Sequence, residues 1–438
     1  MPPAGVSLRK KLKVSVSVPN TKPGISSHLG FKFSLLMCLY FSQGLPFGFL
    51  SQALPAMLRS YGVDLDKIGL VSLVALPWAF KFLWAPYVDH YGWARLGRRK
   101  SWIVPLQLGF FLCLFGMALL NPDSLTGSGF YVLLVILFLS NLIAATQDIA
   151  TDGLAVESIP PKDRGLANGI QVGGYRVGML FGGGVVLILL ERLGWFSAFS
   201  VMALLILLVS VPVWLFKEPK STQALEHDSP ANVLKLFRAF IVQPGMWGWV
   251  LVIVFFKIGD SFGSAMGKPL LIDLGLTLEQ VGWISGGGGM AAGISGALLG
   301  GWLVPRLGRV RALLGFGVLQ ACSLLGYWWL AVSTLQIDAV WLVIVLEHFI
   351  GGMSTAALFT LMMDACRHPL AGTDYTIQAS IQVMVAGFMH SVSGFSAKWF
   401  GYEIHFLLAF ALGMIALLPI ALWLRNVPDI QKQAWHAT

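Results

Sequence analysis

Long apolar stretches separated by short polar turns set the pattern of the chain. About 20 predominantly apolar residues suffice for a helix to cross a bilayer. Twelve such runs are readable, at approximately 33–58, 67–88, 101–121, 130–156, 165–190, 195–216, 246–270, 280–304, 312–333, 339–364, 373–397 and 403–424. The longest polar interval, 217–245, follows the sixth run and divides the spans six and six. The pattern predicts an all-α membrane protein with a basic tail over 1–32, a six-helix bundle over 33–216, a linker over 217–245, a second six-helix bundle over 246–424 and a short tail over 425–438.

The two halves repeat. Leu96-Gly97-Arg98 follows the second span and Leu307-Gly308-Arg309 follows the eighth, 211 positions later. Asp163 and Gln171 open the fifth span, and Asp374 and Gln382 open the eleventh at the same offset. Two separate blocks keeping one shift predict duplicated six-helix units, the parallel repeat of the major facilitator fold.

Composition agrees. The 438 residues are 56% hydrophobic and only 12% charged, a balance that no soluble domain needs. The net charge of +9 raises the question of nucleic acid. However, the basic residues sit in turns and tails, where they read as topology signals. With the amino terminus inside, the cytoplasmic side holds Arg95, Arg98, Arg99, Lys100, Lys162, Arg164, Lys217, Lys220, Lys235, Arg238, Arg306, Arg309, Arg311 and Arg367 as well as both basic tails. The opposite side holds only Arg59, Lys67, Arg192 and Lys398, so both termini come out cytoplasmic. The basic, acid-free start reads as a cytoplasmic tail; a mitochondrial transit peptide is the alternative. Cys38, Cys113, Cys322 and Cys366 have neither metal-ligand spacing nor a disulfide pattern. No cofactor and no metal are expected, and the architecture needs no partner subunit.

The informative residues are charges inside spans. Asp148 and Asp152, four apart in the fourth, share one helix face. An ionised aspartate at bilayer depth costs roughly 3 kcal/mol or more, so both should face protein or a wet cavity. Lys81, in the second span, sits at comparable depth and can pair with one of them; Arg176 lies deeper in the fifth. The seventh carries Lys257, Asp260, Ser264 and Lys268 as one polar stripe. The tenth carries Glu347-His348, and the eleventh adds Gln378, Gln382 and His390. Cavity-lining cations suit an anionic solute, and a carboxylate near a lysine can trade a proton for substrate charge. The plainer alternative is a set of internal ion pairs holding the helices in register. At the turn after the second span, Asp89 with Arg98 and Arg99 can cap a helix end or latch the halves in one state.

Several motifs together carry a family resemblance: Phe80-Lys81-Phe82-Leu83-Trp84-Ala85-Pro86 with Asp89; Thr146-Gln147-Asp148 with Asp152; Gly174-Tyr175-Arg176-Val177-Gly178; Phe256-Lys257-Ile258-Gly259-Asp260; and Gly351-Gly352-Met353-Ser354-Thr355. The chain resembles the AmpG-type muropeptide permeases of the major facilitator superfamily, from the first span to the tenth and more loosely beyond. The resemblance implies proton-driven import of anhydromuropeptides across a bacterial inner membrane. Siderophore importers and acetyl-CoA transporters look like neighbours in this branch.

The expected machinery is then a secondary transporter rocking two halves about a midplane cavity. Lys81, Arg176, Lys257 and Lys268 would meet an anionic cargo, with Gln171, Tyr175 and Gln378 as hydrogen-bond partners. Asp148, Asp152, Asp260 and Glu347 are the proton-coupling candidates, and Asp89, Arg98, Arg99 and Arg309 the gate. Siderophore or acyl-CoA import is the alternative cargo class. A membrane enzyme is disfavoured, because it would gather acid and base groups at one interface whereas these charges run along both halves. A sensor would bind without flux.

Overall fold

The computed structural model describes residues 28–54, 57–58, 61, 74–93, 95–218, 233–243, 245–334, 336–367, 370–420 and 422. Residues 1–27 of the predicted amino-terminal tail, the whole carboxy-terminal tail, residues 219–232 and 244 of the linker, and Arg59 and Lys67 lie outside them. Among the described residues, nine stretches are helical, long and apolar enough to cross a membrane. Two of these, Pro161–Leu215 and Ala371–Ile420, run to 55 and 50 residues, twice what one crossing takes. Each is interrupted by one glycine in a left-handed conformation, Gly194 and Gly401, both at φ 76°. A side chain would be strained there, so glycine marks the break between the fifth and sixth spans and again between the eleventh and twelfth. Counted as pairs, these two stretches raise the nine to eleven. The second span, described from residue 74, completes the twelve-helix plan.

The backbone repeats as the sequence does. Gly97 and Gly308, 211 positions apart, both adopt positive φ, 98° and 84°. Each precedes an arginine that reaches a carboxylate at the end of a span in its own half: Arg98 meets Glu157 at the end of Ser128–Ser158, and Arg309 meets Asp364 at the end of Ile337–Asp364.

Irregular turns fall where the chemistry is. The second span is an α-helix over Leu76–Phe80, a 3₁₀ turn over Lys81–Leu83 and an α-helix again over Ala85–His90. Pro86 has no N–H to give a carbonyl one turn back, so the helix restarts and leaves Lys81 in the turn. The seventh is likewise cut into Met246–Phe256, Ile258–Ser264 and Gly267–Asp273, with Lys257 at the first break. Wider π turns occupy Phe49–Ala53, Phe181–Val185 and Gly282–Gly289, in the first, fifth and eighth spans.

Apolar packing divides the molecule end from end. The end bearing Arg98, Arg99, Arg164 and Arg309 is here the basic end. There one core joins both halves: Leu36, Tyr40, Val156 and Ala167 from the first pack with Trp249, Phe316, Met353 and Tyr375 from the second. Towards the other end the cores separate. Phe41, Leu45, Phe110, Phe130 and Phe199 form one within the first half, and Phe262, Leu324, Ile344 and Phe406 another within the second. Buried apolar contact therefore binds the halves at the basic end, and a cavity lies beyond it. A short helix of the linker, Val233–Ile241, docks on the shared core through Phe240, whose ring lies 5.8 Å from the Arg367 guanidinium.

Candidate functional site: two ionic centres and a closed basic end

A cavity of about 240 Å³ opens between the halves, lined by Arg176, Lys257, Asp260, Lys268, Gln320, Glu347 and their neighbours. The breaks in the seventh span turn the whole predicted stripe, Lys257, Asp260, Ser264 and Lys268, onto one wall. Gln320 of the ninth span closes a triangle with two of these groups. Lys257 Nζ donates to Gln320 Oε1 at 2.9 Å and to Asp260 Oδ2 at 3.1 Å, while Gln320 Nε2 donates to Asp260 Oδ1 at 2.7 Å. On the facing wall Glu347 lies 2.6 Å from His348 Nδ1 and accepts from the Tyr327 hydroxyl at 3.3 Å.

Among the described residues, Arg176 is the only one of the first half that lines the cavity. Its guanidinium occupies the notch left by Gly293 of the eighth span, where any Cβ would collide with it. By sequence depth it is closer to Asp148 than to Asp152; the structure turns its guanidinium towards the second half.

The other predicted residues form a second centre, which does not line this cavity. Lys81 pairs with Asp148, the two being 4% and 9% exposed. Lys81 also lies 5.5 Å from the Trp78 ring centroid. Asp152, one turn on, accepts from the Tyr40 hydroxyl at 2.7 Å. Gln147 donates to Ser42 at 2.9 Å, and Trp84 to Thr146 at 3.1 Å. Gln171 donates to the Tyr375 hydroxyl at 3.3 Å, bridging the halves, and Gln378 accepts from Trp249 at 2.7 Å. Tyr175 stacks at a tilt on Phe47, 5.9 Å between centroids. His390 is exposed and outside the cavity lining.

A third cluster seals the basic end. Asp89 is fully buried, paired with Arg99 and accepting the backbone N–H of Thr373. Arg99 and Arg98 share Glu157, at 2.6 and 2.5 Å. Burial works against the Arg99 charge, but Asp89 and Glu157 outweigh it and raise its pKa. Asp364 takes Arg164 at 2.7 Å and Arg309 at 2.9 Å, and Arg309 also donates to the carbonyl of Pro161 at 2.6 Å. The contacts of Asp89 with Thr373, Arg164 with Asp364 and Arg309 with Pro161 run from one half to the other.

Sequence reading missed Tyr40, Gln320, Glu157 and Asp364. Gln320 was findable, being a polar side chain within an apolar run. Tyr40 carried no such signal, because tyrosine is ordinary in a span.

Comparison with known proteins now decides the family. The sequence profile of the Major Facilitator Superfamily matches residues 36–389. The chain belongs to that superfamily. It is a multi-pass membrane protein and a secondary transporter, not an enzyme, of the AmpG-type branch. It is 32% identical over 390 residues to the anhydromuropeptide permease of Escherichia coli K12, covering 88% of this chain and 79% of the relative. A putative transporter, AmpG 4 of Rickettsia conorii, is 26% identical, with 85% and 92% covered. Among solved structures, the fucose transporter FucP in its outward conformation superposes with a TM-score of 0.65 at 16% identity, covering 90% of this chain and 99% of that one. The proton:xylose symporter XylE superposes at 0.69 with 14% identity, covering 93% and 99%. At those identities the likeness is one of fold.

Proposed function

We propose that the protein imports an anionic cargo of the anhydromuropeptide class across a bacterial inner membrane, coupled to protons and with both termini cytoplasmic. The observation that carries the reading is the cavity, where three cations, Arg176, Lys257 and Lys268, face two carboxylates. Counted by formal charge, that lining keeps one positive charge for a solute. The cargo class is that of the Escherichia coli relative. The excess of lysine and arginine on one side supports the orientation and makes the basic end cytoplasmic.

In this reading the outward-facing state is the one described. The sealed cluster around Asp89, Arg98, Arg99 and Arg309 is the closed inner gate, and cargo enters from the opposite end. The Lys81–Asp148 and Tyr40–Asp152 pairs form the proton-coupling centre. A proton on Asp148 would remove the charge that holds Lys81, and the fourth span could then shift against the second. Asp260 and Glu347 are the coupling candidates on the cargo side. Rocking of the halves then exposes the cavity to the cytoplasm.

The test is uptake by sealed vesicles holding the purified protein, with and without an imposed proton gradient, using a labelled anhydromuropeptide, a siderophore and an acyl-CoA. Gradient-dependent uptake of the first alone is expected. Preference for either of the others would replace the cargo, and uptake indifferent to the gradient would remove the coupling.

A further inference from the structure

We propose that one carboxylate of the cargo is held between Arg176 of the first half and Lys268 of the second, and that this bridge draws together the outer ends of the fifth and eighth spans. The inference rests on the import reading above and names the feature of the cargo that closes the outer gate.

The cavity's charges are not equally available. Lys257 is committed to Asp260 and Gln320 by two hydrogen bonds, and Gln320 in turn donates to Asp260. Glu347 is engaged by His348 and Tyr327. Among the described residues, Arg176 and Lys268 line the cavity without an ion pair. A guanidinium is planar and takes a carboxylate through two parallel N–H groups, a geometry that a hydroxyl or carboxamide cannot match. Arg176 comes from the first half and Lys268 from the second, so a carboxylate reaching both cations spans the two halves.

The seam that would close is visible in the helix register. A Cβ on Gly165 would touch the Gly301 backbone, and one on Gly169 would touch Ala297; at Gly173 the neighbour is Ile294 at 3.5 Å. Steps of four and four along the fifth span are thus answered by steps of four and three back along the eighth. Fifteen residues beyond Gly169 is Gly184, and fifteen before Ala297 is Gly282. At both, a Cβ would meet nothing within 4 Å. The two helices touch through these glycines near the basic end and through Arg176 at Gly293, whereas Gly184 and Gly282 stand clear of any neighbour. Both helices also pass through a π turn on the open side, the sort of irregularity at which helices bend.

The experiment places Gly184→Cys and Gly282→Cys in the full chain after Cys38, Cys113, Cys322 and Cys366 are replaced by serine, and reads the rate of cross-linking in lipid vesicles by a short bis-thiol reagent. The probes are an anhydromuropeptide and the same compound with its carboxylates converted to carboxamides. The expected result is a rate raised about tenfold by the acid and unchanged by the amide, with the rise lost in Arg176→Gln. An equal rise with both compounds, a rise that survives in Arg176→Gln, or no rise while the acid is still imported would each overturn the proposal. If the unsubstituted protein imports neither compound, the cargo reading itself fails, and this inference with it.

Discussion

Asp89 Oδ2 accepts the backbone N–H of Thr373 at 2.6 Å, so a buried carboxylate of the first half caps a helix start in the second, 284 residues away. Its other oxygen holds Arg99, which also reaches Glu157. One side chain thereby ties the second, fourth and eleventh spans together at the basic end. In Asp89→Asn the amide still has an oxygen for Thr373, but the charge facing Arg99 is gone. A hydrogen bond to a charged group contributes about 1.5–3 kcal/mol, and about 1.4 kcal/mol is a factor of ten in a population. The basic end should therefore open about tenfold more often or more. Maleimide labelling of the native Cys366, which lies beside this interface, would report it; a rate equal to the parent's would show that Asp89 is no latch.

Breaking the Lys81–Asp148 pair should be felt first as lost stability. Removing one partner of a buried ion pair costs about 3–5 kcal/mol, because the other charge stays buried, whereas replacing both with apolar groups can be nearly neutral. Asp148→Asn should lower the melting temperature in detergent, and Lys81→Met with Asp148→Leu should regain most of it. Neither protein should import against a gradient. Full proton-dependent uptake by either would take Asp148 out of the mechanism.

Asp364 anchors Arg164 from the first half and Arg309 from the second. Asp364→Asn leaves two guanidinium groups without a shared carboxylate. The prediction is a shift towards the inward-open state like that of Asp89→Asn, read by the same labelling. Because Asp89 and Asp364 hold different partners, Arg99 and Thr373 against Arg164 and Arg309, the double variant should be close to additive in free energy. A double variant that labels no faster than either single one would mean that one cluster alone holds the gate.

The helices were legible because crossing a bilayer imposes length and apolarity, and the duplication because two blocks kept one offset. The polar stripe from Lys257 to Lys268 followed from helical periodicity, and it does line one wall. What periodicity cannot supply is which way a lone cation turns. Arg176 is closer in depth to Asp148 than to Asp152, and nothing in that depth says that the glycine notch at Gly293 takes its guanidinium. Partners distant in sequence were equally hidden: Tyr40 meets Asp152 across 112 residues, and Gln320 meets Asp260 across 60. Depth along a helix is local information, whereas the facing helix is chosen by the whole bundle.

That notch makes the sharpest test, because one substitution means different things at different glycines. In Gly293→Ala the new methyl falls on the guanidinium of Arg176, the far end of a flexible side chain, which can swing away. In Gly44→Ala it falls on the carbonyl oxygen of Tyr175, a backbone atom of the closely packed fifth span, which cannot. Overpacking of that kind costs about 1–3 kcal/mol. Gly293→Ala should therefore melt like the parent while its uptake drops to that of Arg176→Gln, whereas Gly44→Ala should lose stability and function together. Thermal unfolding and vesicle uptake on the same preparations separate the two cases. A Gly293→Ala protein that imports normally would mean that the position of Arg176 in the cavity is without consequence for the cargo.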